Sequence, residues 1–287
     1  MKKNNISFWL FVGPVLVAFL LVVLLPLLFG IYYSFTDWNG IKSDVSWIGL
    51  KNYVAAFKDQ GFLDSFIFTF KFTVVSVIVL NILGFGLALL VTRKLKINNL
   101  LRTLFFMPNL IGGLILGFIW QFIFKEIFAT LGNLTGQQWL LGWLSDGKTG
   151  FYGLIILMSW QMAGYLMVIY IAAIQNIPQE LVEASMIDGA NTWQRLKNII
   201  FPLVRPAFTV SLFLTLSNSF KLYDQNLSLT AGGPGNSTQM MAMNIYNTAF
   251  KFNEMGVAQA KAFILFLIVG VITITQVYVS KKGEVEA

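Results

Sequence analysis

Residues 72–91 read FTVVSVIVLNILGFGLALLV, a stretch of twenty residues without a charge. A helix of that length is about 30 Å long, which matches the hydrocarbon core of a bilayer. Comparable charge-free runs are Phe8–Phe29, Thr103–Phe124, Thr149–Gln179 and Ala262–Ser280. A sixth run, Pro206–Phe220, is shorter and richer in Ser and Thr. The pattern predicts an all-α integral membrane protein with six transmembrane helices.

The composition supports this fold class and excludes others. Of the 287 residues, 56% are hydrophobic and only 11% are charged, whereas a soluble domain carries about 25% charged residues. A soluble globular protein is therefore excluded, and so is a disordered chain, which needs low hydrophobicity. The sequence has no Cys and no His, so thiolate chemistry is absent and the commonest general base and metal ligand is missing.

No repeat or linker divides the chain, so we expect one membrane domain over residues 1–287. A cytoplasmic helix is predicted in the loop 175–202, between the fourth and fifth spans. The predicted spans cover approximately residues 8–30, 70–92, 103–124, 151–174, 202–221 and 261–280.

The basic residues predict that both termini lie in the cytoplasm of a cell membrane. The net charge of +7 could indicate nucleic acid, but the Lys and Arg residues cluster beside span ends, where they set topology. The tight cluster 93–102 carries the most weight. The inside basic residues are then Lys2, Lys3, Arg93, Lys94, Lys96, Arg102, Arg195, Lys197, Arg205, Lys281 and Lys282, and the inside acidic residues are Glu180, Glu183, Asp188, Glu284 and Glu286.

The chemistry of an enzyme or an ion-coupled carrier is hard to find in this sequence. No Asp, Glu, Lys or Arg lies within the six runs, although such residues usually couple transport to ions or protons. Residues 142–149, GWLSDGKT, match the phosphate-binding pattern G-x-x-x-x-G-K-[ST]. That pattern functions between a strand and a helix, and no strand is predicted here. We interpret it as a turn and predict a protein that is not an enzyme.

The loop between the fourth and fifth spans contains strong local signals. Pro178 suits the start of a helix and Glu180 lies near its positive dipole end. Gly189 is suited to ending that helix in a left-handed conformation. Asn191 and Gln194 resemble a capping box that starts a second helix, which Pro202 should break before the membrane. A helix of two turns is marginal in water, so its apolar face should have a partner.

This loop resembles the EAA signature, which marks the permease subunits of binding-protein-dependent ABC importers. Glu183-Ala184-Ser185 is followed after three residues by Gly189, after nine more by Ile199, and then by Phe201-Pro202. Ser185 replaces the second Ala of the signature and Phe201 replaces a Leu. Asp188-Gly189-Ala190 also resembles the family. Other segments resemble its carbohydrate branch, which imports sugars and glycerol 3-phosphate: Gly13-Pro14, Ser34-Phe35-Thr36, residues 48–53, Pro108 and residues 229–234.

The resemblance implies a set of partners and a coupling role for the loop. The partners would be a second permease, a cytoplasmic ATPase dimer, an extracytoplasmic solute-binding protein, a sugar substrate and the bilayer, without nucleic acid. ATP and Mg would bind to the ATPase, and no cofactor would bind to this chain. The residues implied in ATPase coupling are Glu180, Glu183, Ala184, Ser185, Asp188, Gly189, Ala190, Ile199 and Pro202.

Polar residues within the runs are candidates for contacts with a sugar, which is bound through hydrogen bonds and aromatic faces. Ser211, Thr215 and Asn218 share one helix face by their spacing, as do Gln161 and Tyr165. Asn81 lies in the second run and Gln121 in the third, and both have amide side chains. Polar side chains also hold membrane helices together, so packing remains an alternative for all seven.

Two other functions remain open from the sequence. A secondary transporter or channel would move solute without ATP, and a membrane scaffold would bind partners without moving solute.

The loop after the first span predicts a small amphipathic helix outside the membrane. Its apolar residues are Trp47, Ile48, Leu50, Tyr53, Val54 and Phe57.

Overall fold

The computed structural model describes residues 5–93 and 96–282, and this part of the chain is helical over most of its length. Lys2, Lys3, Lys94, Glu284 and Glu286, which enter the charge count, lie outside the described residues. The helices are α1 (Phe8–Ser34), α2 (Lys51–Lys58), α3 (Gln60–Val91), α4 (Asn98–Phe106), α5 (Gly113–Thr135), α6 (Gly147–Gln175), α7 (Gln179–Ile187), α8 (Thr192–Leu203), α9 (Arg205–Phe220), α10 (Asp224–Leu229), α11 (Met241–Tyr246) and α12 (Met255–Lys281).

Five of these helices are long and apolar enough to cross a membrane: α1, α3, α5, α6 and α12. A sixth crossing requires α8 and α9 to act together, although they meet at an angle of 68°. Helix α9 alone has 16 residues, so it is about 24 Å long and shorter than the bilayer core. The all-helical membrane fold predicted from the sequence is therefore observed, with the fifth span as its irregular member.

The third span differs from its prediction. The sequence predicts one helix over 103–124, but α4 ends at Phe106 and a 3₁₀ turn, Met107–Leu110, follows. Pro108 removes a backbone N–H and its ring excludes a continuous helix. Ile111 then takes an extended conformation, with ψ of 130°. The helix long enough to span is α5, which runs about ten residues further along the chain.

The spans are also longer than the charge-free runs, since a helix does not end at its first charge. Helices α3, α5 and α12 include the charged residues Asp64, Lys71, Lys125, Glu126 and Lys261. Asp, Glu, Lys and Arg are therefore absent from the central runs but not from the whole spanning helices.

The described chain groups into two compact units, of which the first contains Met1–Phe62 and Asn244–Leu267. Within it, the Asn52 side chain of α2 donates hydrogen bonds to the carbonyl oxygens of Ser34 (2.9 Å) and Thr36 (2.8 Å). Gly256 approaches so closely that a Cβ there would lie 2.5 Å from the Thr36 oxygen. The Asn52 bonds hold α2 against the end of α1, and the absence of a side chain at Gly256 allows α12 to approach the same place.

The amphipathic helix predicted near residue 50 covers only Lys51–Lys58, and its inner face is not the expected one. The buried residues are Asn52 and Ala56, while the predicted apolar residues Trp47, Leu50, Val54 and Phe57 are exposed. The polar contacts of Asn52 decide which face packs inward, because they satisfy backbone groups that would otherwise be buried without a partner.

The same unit contains a buried lysine. Lys261 of α12 is 2% exposed, and its ammonium group lies 2.6 Å from a carboxylate oxygen of Asp59. It also donates to the side-chain oxygens of Asn244 (3.0 Å) and Thr248 (2.8 Å). Burial opposes ionisation of Asp59, but the hydrogen bond and the charge of Lys261, with help from backbone N–H groups, lower the pKa of Asp59 below its ordinary value.

The second unit contains Leu63–Met243 and Ile268–Ala287, and α6 is its central helix. Small residues allow neighbouring backbones to approach α6 closely. A Cβ on Gly164 would lie 1.8 Å from the carbonyl oxygen of Phe105, and a Cβ on Gly84 of α3 would lie 2.7 Å from the Cβ of Leu166. Close packing of small residues is the main attraction between helices in lipid. The prediction of a single domain stays a prediction.

Candidate functional site

The loop 175–202 folds as its sequence predicts over its first half. Helix α7 begins after Pro178, whose φ of −54° and ψ of 126° place it as the N-cap. Gly189 has φ of +77°. The N–H of Gly189 donates to the Met186 carbonyl (3.1 Å) and that of Ala190 to the Ser185 carbonyl (2.9 Å). This pair of bonds is the Schellman ending, which favours glycine at the left-handed position.

The second helix of the loop also begins as predicted. The side chain of Asn191 accepts a hydrogen bond from the Gln194 backbone N–H (2.9 Å), and the side chain of Gln194 accepts one from the Asn191 N–H (2.8 Å). The capping box is therefore complete.

Pro202 does not break this helix where the sequence predicts. Helix α8 continues to Leu203, and the break falls at Val204, between Pro202 and Pro206. A five-residue π turn, Leu196–Ile200, precedes the proline. Such a turn accommodates a proline because it changes the backbone position against which the ring would clash. The helix breaks at Val204 because the ring of Pro206 would clash with the carbonyl of Pro202, four residues earlier, in a continuous helix.

The exposed surface of the loop contains both charged and large apolar side chains. Glu180, Glu183, Ala184 and Asp188 are exposed, and the Glu183 carboxylate accepts a hydrogen bond of 2.7 Å from the Gln179 side chain. Ser185 is buried and donates to the Val182 carbonyl. Large apolar side chains are exposed nearby: Ile187, Trp193, Met186 and Leu181. Exposed apolar side chains grouped with charges indicate a docking surface.

The phosphate-binding pattern at 142–149 begins as a turn, as interpreted from the sequence, and ends in the N-terminal cap of α6. A short 3₁₀ turn, Gln138–Leu140, precedes it in place of a strand. The Asp146 carboxylate accepts a bond of 2.7 Å from the Thr149 backbone N–H and so caps α6. This bond and one from the Thr149 hydroxyl lower the pKa of Asp146. Asp146 and Thr149 of the pattern therefore cap the N-terminus of α6.

The seven candidate substrate residues separate into groups, and three of them lie in a buried hydrogen-bond network. The side-chain oxygen of Asn81 accepts from the hydroxyls of Tyr170 (2.6 Å) and Ser211 (2.7 Å). The Asn81 amide donates to the Thr215 hydroxyl (3.3 Å) and to the Val77 carbonyl (2.7 Å). Asn81, Ser211 and Thr215 therefore join α3, α6 and α9. Sequence reasoning missed Tyr170, although a buried asparagine requires such a partner.

Gln121 is used to hold a neighbouring segment. Its amide donates to the carbonyl oxygens of Ser228 (3.1 Å) and Leu229 (2.9 Å), at the end of α10. Those carbonyls have no partner further along the short helix, so Gln121 acts as their cap.

Gln161, Tyr165 and Asn218 line a cavity of about 420 Å³. Gln225 donates a hydrogen bond of 2.7 Å to the Gln161 side-chain oxygen. The further lining residues are Asn109, Lys221, Tyr223, Asp224, Gln225, Met158, Met162, Leu214 and Leu222. Amides, two tyrosines and one charge of each sign suit a ligand with many hydroxyl groups.

Sequence reasoning missed the other polar residues of this cavity for two reasons. Asn109 was assigned to the middle of a straight third span, whereas the turn at Pro108 redirects the chain. Tyr223, Asp224 and Gln225 were assigned to a loop beyond the fifth span. Their density of polar groups directly after a short span was the available signal. Among the described residues, no group of three or more Asp or Glu is placed to hold a metal ion.

A family described as binding-protein-dependent transport system inner membrane component matches residues 81–283. A probable starch degradation products transport system permease protein of Thermoanaerobacterium thermosulfurigenes is 60% identical over 284 residues, with 99% of this chain and 97% of the relative covered. A multiple sugar-binding transport system permease protein of Streptococcus mutans is 31% identical over 278 residues, with 96% of each chain covered.

Solved structures share the fold at lower identity. A chain of a bacterial ABC transporter involved in the import of the acidic polysaccharide alginate has a TM-score of 0.84 at 20% identity, covering 98% of this chain and 96% of that chain. A chain of the bacterial alginate transporter in complex with an alginate pentasaccharide-bound periplasmic protein has a TM-score of 0.82 at 18% identity, with the same coverage.

Proposed function

Because the chain belongs to the family of inner membrane components of binding-protein-dependent transport systems, we propose that it is the permease subunit of an ATP-driven importer for a sugar or oligosaccharide. The observation that carries the proposal is the polar cavity of about 420 Å³ beside Gln161, Tyr165 and Asn218. Two relatives of high coverage are named for starch degradation products and for multiple sugars. A neutral, hydroxyl-rich ligand fits the amides and tyrosines of this cavity.

The loop 175–202 is then the surface that receives force from an ATPase dimer. Glu183 carries charge into the contact, Ala184 allows close approach, and Gly189 fixes the turn. The exposed side chains of Ile187 and Trp193 supply apolar area. Glu180, Asp188 and Ala190 flank this surface, while Ser185, Ile199 and Pro202 position it from behind. ATP and Mg belong to the ATPase.

The assembly contains a second permease and an extracytoplasmic binding protein that delivers the sugar. Both termini of this chain lie in the cytoplasm, since the basic cluster 93–102 follows the positive-inside rule. Single cysteines test the orientation, because the chain has none of its own. Trp47→Cys and Asn236→Cys should react with an impermeant thiol reagent in spheroplasts. Asn98→Cys and Asn191→Cys should react only after lysis, and reaction of position 191 from outside contradicts the orientation.

The decisive experiment measures ATP hydrolysis and sugar uptake by the complete complex in proteoliposomes. Binding protein loaded with malto-oligosaccharide should raise both rates together, whereas binding protein alone should raise them much less. Uptake that persists without ATP would instead identify a secondary transporter or channel. Hydrolysis and partner binding without uptake of any sugar would identify a scaffold.

Coupling between the permease and the ATPase is tested with two variants at Gly189 and one at Glu183. Gly189→Val places a β-branched residue in the left-handed region, which costs about 1–3 kcal/mol and should displace α7. Transport should be lost while the chain still inserts into the membrane. Gly189→Asn is the matched control, because Asn tolerates the left-handed conformation, and it should retain most transport. Glu183→Lys should reduce recovery of the ATPase with the complex. Normal transport by the Val variant contradicts the assignment.

A further inference from the structure

A second cavity, of about 620 Å³, lies where the ends of α3 and α6 meet α7 and α8. It shares no lining residue with the polar cavity described above. Most of its lining is aliphatic: Leu89, Ile174, Val182, Met186, Leu196, Ile199 and Ile200. The remaining lining residues are Thr92, Arg93, Thr192 and Arg195. The charged groups on this wall are thus both guanidinium groups, and no carboxylate lines it within the described residues.

The two arginines have donors to spare. Arg195 makes a long hydrogen bond of 3.3 Å to the neutral hydroxyl of Thr192. Neither Arg93 nor Arg195 forms an ion pair with a carboxylate within the described residues. A guanidinium group presents a planar fork of donors that fits the oxygens of a phosphate. Two such groups beside an aliphatic chamber provide positive charge and apolar volume for one amphiphilic ligand.

We propose that this cavity binds an anionic phospholipid of the cytoplasmic leaflet, with an acyl chain against the aliphatic wall and the phosphate at Arg93 and Arg195. The position along the chain supports a lipid, because Arg93 is the second residue after the spanning helix α3 and Ile174 is the penultimate residue of α6. Each methylene group of an acyl chain that the aliphatic wall buries strengthens binding. A free phosphate would gain nothing from the aliphatic lining, so charge and lining together select the lipid.

The bound lipid would brace the loop that the proposed function assigns to ATPase coupling. Val182 and Met186 of α7 and Ile199 of α8 contribute to the wall opposite Leu89 and Ile174. An acyl chain between them fills a volume that otherwise leaves the loop free to shift against the spanning helices. Lipid occupancy should therefore raise the fraction of ATP hydrolysis that is coupled to transport. This consequence rests on the proposed function, whereas the binding site does not.

The binding test uses the complete transporter in nanodiscs that contain phosphatidylcholine and a phosphatidylglycerol with a photoreactive group on its acyl chain. Peptides that cover residues 174–200 should be labelled after illumination, and unlabelled phosphatidylglycerol should compete more strongly than phosphatidylcholine. In the variant Arg93→Gln/Arg195→Gln, labelling should fall about tenfold, as expected from the loss of roughly one charge-assisted hydrogen bond. The matched control Lys96→Gln/Lys197→Gln removes two nearby charges that do not line the cavity, and it should retain the labelling.

The outcomes separate the occupants without reference to transport. Equal labelling of wild type and the arginine variant, at equal recovery of the complex, overturns the proposal. Displacement of the photolipid by inorganic phosphate identifies a phosphate site and also overturns it. Labelling that appears only when the ATPase is removed assigns the cavity to an ATPase side chain. If the lipid binds but hydrolysis and uptake do not respond to sugar, the proposed function fails while the lipid site stands.

Discussion

Helices α1 and α6 are both spanning candidates, and they differ completely in burial. None of the most apolar window of α1 is buried within the described chain, whereas 72% of that of α6 is buried. The buried helix is the less uniformly apolar of the two, since it contains Gly150, Ser159, Gln161 and Gly164. The exposed helix is aliphatic and aromatic on all sides. In a membrane, the helix that faces lipid needs apolar side chains, and the helix in the core needs close approach and hydrogen bonds.

The largest effect should come from a glycine on the buried helix. Gly164→Val places a side chain where a Cβ would already lie 1.8 Å from the Phe105 carbonyl oxygen. Because that neighbour is backbone, α4 or α6 must move, at a cost of about 3 kcal/mol or more. The amount of monodisperse complex after detergent extraction should fall severely. Gly13→Val on α1 is the control, as no atom lies within 4 Å of its added Cβ, and equal recovery of both variants contradicts the contrast.

We expect an intermediate effect from the buried lysine, which tests whether core positions tolerate polar groups only when these are paired. Asp59→Asn leaves the ammonium of Lys261 buried without its counter-ion, which we expect to cost about 3 kcal/mol. Lys261→Met should cost less, since the Asp59 carboxylate is 38% exposed and regains water. Thermal unfolding of the complex should rank the variants, with the double variant more stable than Asp59→Asn. A double variant less stable than both single ones would contradict pairing as the cause.

The same ion pair predicts the direction of a pH effect. The pKa of Asp59 is lower in the folded protein than its ordinary value. Its stabilising contribution is therefore present above the ordinary pKa of about 3.9 and is lost as the pH falls through the lower folded pKa. Between pH 5 and pH 7, stability differences between wild type and Asp59→Asn should stay constant. Below pH 4 the difference should shrink, as measured by thermal unfolding; a constant difference at pH 3 contradicts the assignment.

The smallest structural effect should distinguish two asparagines of the second unit. Asn81→Leu removes the centre of the network with Tyr170 and Ser211 and should destabilise the complex by about 2 kcal/mol. Asn218→Leu removes a cavity-lining amide and should lower sugar-stimulated transport with little change in thermal stability. Both quantities can be measured on one preparation. If Asn218→Leu changes neither transport nor stability, Asn218 contributes neither to the sugar pathway nor to packing.

The predicted polar stripe of α9 shows how far sequence spacing can be used. Ser211, Thr215 and Asn218 share a helix face by arithmetic, but the structure buries Ser211 and Thr215 and leaves Asn218 exposed. Ser211 and Thr215 meet Asn81, whereas Asn218 meets the cavity. Spacing identifies the shared face but not the neighbour, because the neighbour belongs to a helix distant in sequence.

The sequence alone determined the features that depend on neighbouring residues. The lengths of apolar runs gave the membrane fold, Gly189 gave the left-handed end of α7, and Asn191 with Gln194 gave the capping box of α8. The tertiary structure decided which helix is buried, where Pro108 redirects the third span, and which polar groups meet at each cavity. Apolarity is required both by lipid and by a protein core, so composition cannot distinguish the two. Only the packing of helices distant along the chain does so.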